Sequence, residues 1–177
     1  MKVDKVEVVD YNEQWPRKYV YEANVIRNIL VSELITITHI GSTAVPGLKA
    51  KPTIDILAFV KDVKKLDDLN EKFEAAGYRC LGEDGIKGRR FFMKSDNSVH
   101  VHAYDDNNRD RIEALLAFYD YLKDNPEVAK EYEDLKVKLA KKYPRNIKKY
   151  TQGKAAFTKE IETKAVNRYR HKDIEQI

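Results

Sequence analysis

The sequence predicts an α+β fold, in which a mixed β-sheet packed with helices is followed by a C-terminal helical region. Residues 34–38 and 53–60 are rich in β-branched and apolar side chains, and a loop containing glycine and proline separates them. Residues 98–104 alternate regularly between apolar and polar side chains, as a half-buried strand does. After Asp106, apolar residues instead recur at steps of three and four, which is the helical period.

The elements before Asp106 follow one another in a simple order. A helix begins near Asn12, and its buried stripe consists of Trp15, Tyr19, Ala23, Ile26 and Leu30. After the first two strands, a helix over residues 66–76 ends at Gly77, where the absence of a side chain suits a helix C-terminus. Three strand-like stretches then complete the predicted sheet: residues 78–81, 89–93 and 98–104.

Three amphipathic helices are predicted after Asp106. The first apolar stripe ends at Asn125-Pro126, and the second ends near Pro144, because proline cannot continue a helix. Thr151 is predicted to begin the third helix.

The length of 177 residues suits one domain with a sizeable core. We predict a single domain over residues 1–177, with its core over about residues 1–105. The helices over about residues 106–170 are expected to form one wall of a cleft, because their apolar stripes require a partner surface. The oligomeric state does not follow from the sequence.

Composition narrows the function classes. A hydrophobic content of 42% with 35% charged residues is typical of a globular protein, and no apolar run is long enough to cross a membrane. The net charge of +4 is small for a nucleic-acid binder, so neither a membrane nor a nucleic acid is the expected partner. The single cysteine, Cys80, excludes an internal disulfide and fits the reducing cytoplasm.

The loop between the first two strands carries residues suited to phosphate. Gly41 and Ser42 follow a strand end, where backbone amides and a hydroxyl can approach an anion, and Thr43 and Lys51 extend this candidate phosphate-binding set. Asp55 is a lone acid on the next, apolar strand, and an ionised acid in such a position requires a partner. Phosphate chemistry uses this combination of donors for the phosphate and an acid that holds a metal.

This stretch closely resembles the signature of the GrpB family, a bacterial group in the nucleotidyltransferase superfamily. The resemblance is carried by His39-Ile-Gly-Ser-Thr-Ala-Val-Pro-Gly-Leu followed by Lys51-Pro-x-x-Asp55. A Tyr11-x-x-x-Trp15-Pro16 opening and a Tyr150-x-x-x-Lys154 segment are also typical of the family. The resemblance implies a nucleotidyltransferase-like core and a nucleotide or phosphorylated small molecule as ligand.

The superfamily pattern also implies a metal site. Its Gly-Ser step is followed on the next strand by an acid-x-acid pair, and a third acid lies on a later strand. Asp55 matches the first acid, but Leu57 stands at the second, so whether the chain is an enzyme is left open. His100-Val-His102 stands in about the place of the third acid, and the resemblance therefore implies that Asp55, His100 and His102 converge on one metal.

The two histidines point the same way on a strand, as ligands of one metal must. Superfamily enzymes hold Mg²⁺ through oxygen ligands, whereas two imidazoles and a carboxylate suit a transition metal such as Mn²⁺ or Zn²⁺. Three alternatives stay open. The site is catalytic with a transition metal; or Asp55 holds Mg²⁺ with substrate phosphates while His100 acts as general base; or only nucleotide binding remains. His39 is a possible fourth group.

Two further cations are candidate phosphate ligands. Arg89 and Arg90 precede the histidine strand on an antiparallel neighbour, so one of them should share the histidine face, and we assign Arg90 to the phosphate. Lys154 lies at a helix start after Tyr150, from which its side chain could reach back to a substrate.

We therefore expect a GrpB-type enzyme or near-enzyme that binds a nucleotide or phosphorylated small molecule with a divalent metal, with nucleotidyl transfer as its reaction if it is an enzyme. One alternative is a non-catalytic binding or regulatory module with a degenerate acid pair. The other is a metal-dependent hydrolase that uses the histidines and Asp55.

Overall fold

The computed structural model describes the backbone of residues 5–175 and the side chains of residues 5–169. The predicted α+β class is confirmed. Its elements in chain order are α1 (Trp15–Leu30), β1 (Leu34–Ile40), β2 (Ile54–Val60), α2 (Asn70–Ala75), β3 (Tyr78–Cys80), β4 (Arg90–Lys94), β5 (Val99–Tyr104), α3 (Arg109–Asp124), α4 (Pro126–Lys142) and α5 (Ile147–Glu175).

The chain forms two compact units that are interleaved in sequence. A sheet unit comprises Asn12–Ala44 and Thr53–Ile112. A helical unit takes its residues from Met1–Tyr11, Val45–Pro52 and Glu113–Ile177. The chain thus leaves the sheet unit after β1, contributes eight residues to the helical unit, and returns to begin β2. The cleft wall expected from the C-terminal helices stays a prediction.

The sheet has the strand order β1-β2-β5-β4-β3. β2 and β5 run parallel, and the other neighbouring pairs are antiparallel, so the sheet is mixed as expected. Alternation along β2 and β5 separates an apolar face from a face with polar groups. The apolar face is fully buried along both strands and consists of Ile54, Ile56, Ala58, Val60, Val99, Val101 and Ala103.

Helices cover this apolar face of the sheet unit. α1 packs against β1 and β2, and α2 packs against β3. The Phe73 ring of α2 stacks on Phe92 of β4 with a centroid distance of 3.8 Å, and both rings are buried. Glu22 of α1, itself buried, accepts hydrogen bonds from Tyr78 Oη at 2.6 Å and Lys94 Nζ at 2.7 Å. A buried carboxylate is tolerated here because both of its oxygens are paired.

The helical unit is organised around the loop that interrupts the sheet unit. Val45 and Leu48 pack with Leu122, Ala129 and Ile161 in one apolar cluster. Two side chains of α4 form hydrogen bonds with the backbone of Lys49 in this loop. Lys49 N–H donates to Glu133 Oε2 at 2.8 Å, and Lys136 Nζ donates to Lys49 O at 2.9 Å.

Two helix boundaries differ from the sequence prediction. The third C-terminal helix begins at Ile147 rather than Thr151, because Asn146 Oδ1 accepts the Lys149 N–H at 3.0 Å and so caps an earlier start. The helix predicted over residues 66–76 is divided, with a 3₁₀ segment over Val63–Leu69 before α2. Among the helices of residues 5–175, none is long and apolar enough to span a bilayer.

Candidate functional site

Three side chains on the polar face of the sheet unit converge. β2 and β5 pair in a register that places Asp55 opposite His100 and Leu57 opposite His102. One ligand atom from each of Asp55, His100 and His102 lies within 4.8 Å of the other two. Asp55 Oδ1 is 3.2 Å from His102 Nε2 and 3.8 Å from His100 Nδ1. The convergence expected from strand alternation is therefore present, while a metal role for these residues stays a prediction.

Asn97 orients the His100 ring. His100 Nε2 lies 2.6 Å from Asn97 Oδ1, which can only accept a hydrogen bond, so the ring donates from Nε2. The other nitrogen, Nδ1, then carries the lone pair and faces Asp55. A histidine that ligates a metal is usually held in this way, with its second nitrogen donating to an oxygen. With Nε2 donating to Asn97, Nδ1 is the His100 nitrogen that could accept a metal.

Arg89 determines which nitrogen of the His102 ring carries the proton. Arg89 Nη1 lies 3.4 Å from His102 Nδ1, and because a guanidinium only donates, Nδ1 accepts. The ring proton is then on Nε2, which donates to Asp55 Oδ1. Binding a metal at Nε2 requires that this proton leave, and moving it to Nδ1 would set two donors against each other. Arg89 thus opposes coordination through His102 Nε2 without excluding it, because the guanidinium would have to turn away from His102 Nδ1 when a metal binds.

Arg89 is itself a buried, fixed cation. Its side chain is only 8% exposed. Its guanidinium donates to the carbonyl oxygens of Glu83 and Asp84 at 3.1 and 2.8 Å, and it lies 4.5 Å from the centroid of the Phe91 ring. Its Nη2 also forms an ion pair with Asp84 Oδ2 at 3.4 Å, so the side chain is a fixed cation beside His102 whose three nitrogens all have partners.

Gly41 permits the close approach of the loop to Asp55. Its φ is +75°, and a Cβ placed on it would lie 2.8 Å from Asp55 Oδ2. A side chain at this position would therefore strain the backbone and displace the carboxylate. Ser42, the next residue, is half-buried and begins a 3₁₀ turn over Ser42–Ala44. The Gly-Ser step thus lies directly against the candidate metal ligand.

Thr43 and His39 support the loop from inside. Thr43 is buried, and its Oγ1 lies at hydrogen-bonding distance, 2.9 Å, from His39 Nε2. The His39 ring stacks on Tyr19 with a centroid distance of 4.9 Å. Burial lowers the pKa of His39 to about 4, against a smaller opposing effect of Asp55. His39 is paired in register with buried Ile56, on the other face from Asp55, and so it is a neutral support of the loop.

Leu57 occupies the position of the second acid and faces the same side as Asp55. It is buried, with 3% of its surface exposed. The described residues offer no second carboxylate to the three-residue cluster, whose remaining ligands are imidazoles.

The other phosphate ligands predicted from the sequence are Arg90, Lys51 and Lys154. Arg90 is paired with Ala103 in register, so it points to the opposite face from the histidines, where it forms a two-pronged ion pair with Asp67 at 2.7 and 3.1 Å. The arginine on the histidine face is Arg89. Lys51 and Lys154 belong to the helical unit.

Sequence reasoning did not single out Asn97, and it assigned Arg90 to the phosphate, whereas the arginine beside the histidines is Arg89. A signal for Asn97 was present, because a turn asparagine three residues before His100 can return its side chain to the first residues of the strand. Arg89 precedes β4, so strand alternation alone did not fix its direction.

Comparison with known proteins decides the family. The model of the family described as "GrpB protein" matches residues 5–164. The chain belongs to the GrpB family. It is 42% identical over 163 residues to the UPF0157 protein YqkA of Bacillus subtilis (strain 168), a match that covers 91% of this chain and 47% of that protein. The chain thus spans about half the length of this relative.

Solved structures support the GrpB assignment and show which other proteins share the fold. The crystal structure of the conserved protein GrpB from Enterococcus faecalis matches with a TM-score of 0.89 and 41% identity, over 92% of this chain and 99% of that one. The structure of Cid1 in complex with its short product ApU matches with a TM-score of 0.51 and 14% identity, over 73% of this chain and 42% of that one. The second match concerns the fold alone, which is nucleotidyltransferase-like.

The donor set of this GrpB chain fits a divalent metal. One carboxylate and two imidazoles on adjacent strands are ligands that Mn²⁺, Zn²⁺ or Fe²⁺ accept readily, whereas Mg²⁺ prefers oxygen. The three side chains are 20–32% exposed, so an ion or a substrate can reach them from solvent. The residues present therefore fit a transition metal better than magnesium held by protein ligands alone.

Proposed function

We propose that this GrpB protein binds a nucleotide or another phosphorylated small molecule together with a divalent metal at Asp55, His100 and His102. The observation that carries the proposal is the convergence of these three side chains directly beside the Gly41-Ser42 loop. In a nucleotidyltransferase-like fold, phosphate-handling chemistry is a natural use of such a site. Cid1, the more distant structural relative, is described in complex with its product ApU, which favours a nucleotide as the ligand.

Each residue has an assigned part. Asp55, His100 Nδ1 and His102 Nε2 would hold the metal, which would supply Lewis-acid stabilisation of a phosphoryl group. The backbone at Gly41 and Ser42, with the Ser42 hydroxyl, would receive phosphate oxygens. Arg89 would add a fixed cation at the His102 side. Thr43 would act through the loop backbone, since its hydroxyl is already bonded to His39.

Nucleotidyl transfer is the finer form of this proposal. Such transfer is mostly positioning and electrostatic stabilisation, and with one carboxylate the site would need either a transition metal or substrate phosphates to complete the metal's ligands. His100 or His102 would then be the candidate general base when it does not ligate the metal.

Two other functions have specific support. Buried Leu57 in place of the second acid favours a non-catalytic binding or regulatory module. The two imidazoles favour a metal-dependent hydrolase, because this ligand set suits a transition metal that activates water. We also propose a reducing compartment such as the cytoplasm, which the lone Cys80 supports.

A thermal-shift screen of the full chain with nucleotides and divalent metals, singly and together, tests the proposal. A ligand that binds the folded state raises the melting temperature as its concentration exceeds its dissociation constant. We expect the largest shift with Mn²⁺ and a nucleotide together. Asp55→Asn should fold normally and lose the metal-dependent part of the shift, whereas Asp68→Asn, at an exposed position of the same unit, should keep it.

A full metal-dependent shift in Asp55→Asn would contradict the proposal. Turnover of a nucleotide panel then separates transfer from binding. One tightly held zinc with hydrolysis of a phosphoester, and no nucleotidyl product, would favour the hydrolase.

A further inference from the structure

The helical unit contains a long stretch of the chain that has basic residues and no acids. Of the 33 Lys and Arg residues of the chain, nine lie within residues 135–159, where there is no Asp or Glu. The other residues therefore contain 24 Lys and Arg against 29 acids. The net charge of +4 averages these two parts, and so it conceals a strongly positive segment within a chain that is otherwise slightly acidic.

Six of these cations are exposed and lie around the turn between α4 and α5. We call them the basic surface, and they are Lys138, Lys141, Lys142, Arg145, Lys148 and Lys149. Among the described side chains of residues 5–169, no carboxylate forms an ion pair with any of the six. The ion pairs of α3, α4 and α5 involve other cations, among them Lys123, Lys130, Lys164 and Arg168.

The Tyr143 ring brings cations of both helices to one place. Lys142 Nζ of α4 lies 5.4 Å from the centroid of this ring, and Lys149 Nζ of α5 lies 5.7 Å from it. The ring is half-buried, since it packs against a cluster that includes Val6 and Leu139, and so part of it stays accessible. An accessible aromatic ring among cations is typical of surfaces that bind single-stranded nucleic acids, where bases stack on the ring and cations contact phosphates.

Several of these cations occupy positions that do not favour helix stability. Lys148 and Lys149 lie in the first turn of α5, which contains no acid, although the N-terminus of a helix favours acidic side chains. Lys138 and Lys142 are four residues apart on α4, a spacing at which like charges repel. Lys141 and Lys142 do suit the last turn of α4. A bound polyanion would relieve the repulsion, so the arrangement suits a partner better than it suits the isolated chain.

The apolar area beside the basic surface is too small for a membrane anchor. Within residues 135–159, the large apolar side chain that is well exposed is Ile147, at 50%. A helix that lies on a membrane needs an apolar face to enter the lipid in addition to its cations. A polymer of phosphates needs only the cations and the aromatic ring.

We propose that the basic surface binds a single-stranded nucleic acid, with its cations on the phosphates and a base stacked on Tyr143. The affinity comes largely from the release of counterions from the phosphates, so binding requires no particular base sequence. The surface belongs wholly to the helical unit, whereas Asp55, His100 and His102 belong to the sheet unit. The inference thus adds a macromolecular partner to the small ligand proposed above and does not depend on the metal site.

Fluorescence anisotropy of a labelled, unstructured RNA of about 12 nucleotides tests the proposal. The full chain is titrated in EDTA at several salt concentrations. The logarithm of the affinity should fall with the logarithm of the salt concentration with a slope of about −3, the value for about four phosphate contacts on a single strand. Lys138→Gln, Lys142→Gln and Lys149→Gln together should weaken binding about tenfold or more and bring the slope to about −1.

The matched control removes the same charge from the sheet unit. Lys61→Gln, Lys64→Gln and Lys87→Gln together neutralise three exposed lysines there and should leave RNA binding as in the wild type. Circular dichroism verifies the fold of both triple variants.

Tyr143→Leu separates stacking from charge. Leucine can still pack against the apolar cluster, so this variant should bind RNA about fivefold or more weakly with an unchanged salt slope. An RNA duplex of the same length should bind more weakly than the single strand, because paired bases cannot stack on Tyr143.

Four results would overturn the surface: no RNA binding by the wild type at about 50 mM salt, wild-type affinity in the α4–α5 triple variant, an equal loss in the control, or tighter binding of the duplex. Binding to phosphatidylserine vesicles without binding to RNA would assign the surface to a membrane and would also overturn it. Asp55→Asn should bind RNA as the wild type does, and a loss there would contradict a separate surface. Failure of metal and nucleotide binding alone would overturn only the function proposed above.

Discussion

The backbone of Gly41 lies so close to the Asp55 carboxylate that a Cβ on Gly41 would stand 2.8 Å from Asp55 Oδ2. A loop residue and a strand residue fourteen positions apart in sequence are thereby fixed as one local structure. Gly41 adopts φ +75°, which residues with a side chain rarely do, and it leaves room for the Asp55 carboxylate.

Gly41→Ala should therefore destabilise the fold and remove metal binding. The left-handed conformation alone costs about 1–2 kcal/mol for a residue with a Cβ, and displacement of Asp55 takes away the carboxylate ligand. Gly47→Ala is the matched control, because Gly47 has φ +79° but no atom within 4 Å of an added Cβ. Urea unfolding and Mn²⁺ titration should show a loss of stability in both variants and a loss of metal affinity in Gly41→Ala only. Equal metal affinity in the two variants would show that the Gly41 loop does not position Asp55 for metal binding.

Asn97→Gly should weaken metal binding about tenfold, the usual effect of removing a group that orients a ligating histidine. Asn97 has φ +63°, which glycine adopts without strain, so the substitution deletes the acceptor for His100 Nε2 and leaves the turn intact. Nitrogen-15 NMR of the histidine rings should show that His100 loses its single tautomer. An unchanged tautomer and affinity would mean that Asn97 has no part in the site.

Arg89→Met should have opposite effects on the two ligands. Removing a buried cation and freeing His102 Nδ1 should raise the affinity for Mn²⁺ severalfold, because the proton on His102 Nε2 can then move to Nδ1. Nucleotide affinity should fall, since a fixed donor for the phosphates is lost. Calorimetric titration of each ligand measures both effects, with circular dichroism to verify the fold. A parallel fall in both affinities would indicate a purely structural arginine.

The depressed pKa of His39 predicts an acid-sensitive fold. Between pH 6.5 and about 4 the unfolded chain binds a proton at His39 that the folded chain does not, so stability falls as the pH falls through this window. The full effect corresponds to about 3 kcal/mol. His39→Gln does not titrate and can still bond Thr43, so it should lose less stability than the wild type between pH 7 and pH 4.5. Identical losses in urea unfolding would show that His39 is not the group responsible.

The strand pattern made the convergence of Asp55, His100 and His102 predictable. It did not predict the position of Arg89 beside His102. Period-two alternation places His100 and His102 on one face, and the family pattern indicates that Asp55 joins them. The direction of Arg89 depends on carbonyl groups in the turn at Glu83 and Asp84, which no periodicity reports.

The buried state of Lys136 also escaped prediction. A lysine within a basic helical segment reads as solvated surface, and its burial depends on the carbonyl of Lys49, 87 residues away in sequence. Contacts of that range are fixed by tertiary packing, which composition and local spacing do not encode.

We propose that Asp55, His100 and His102 hold one divalent metal. The most direct test is an anomalous difference map from crystals of the protein grown with Mn²⁺, measured on the same crystal form with and without a nucleotide. We expect one strong peak about 2.1–2.3 Å from Asp55 Oδ1, His100 Nδ1 and His102 Nε2, typical of metal–ligand bonds. A map without a peak among these side chains, in crystals where Mn²⁺ is bound elsewhere on the protein, would contradict it.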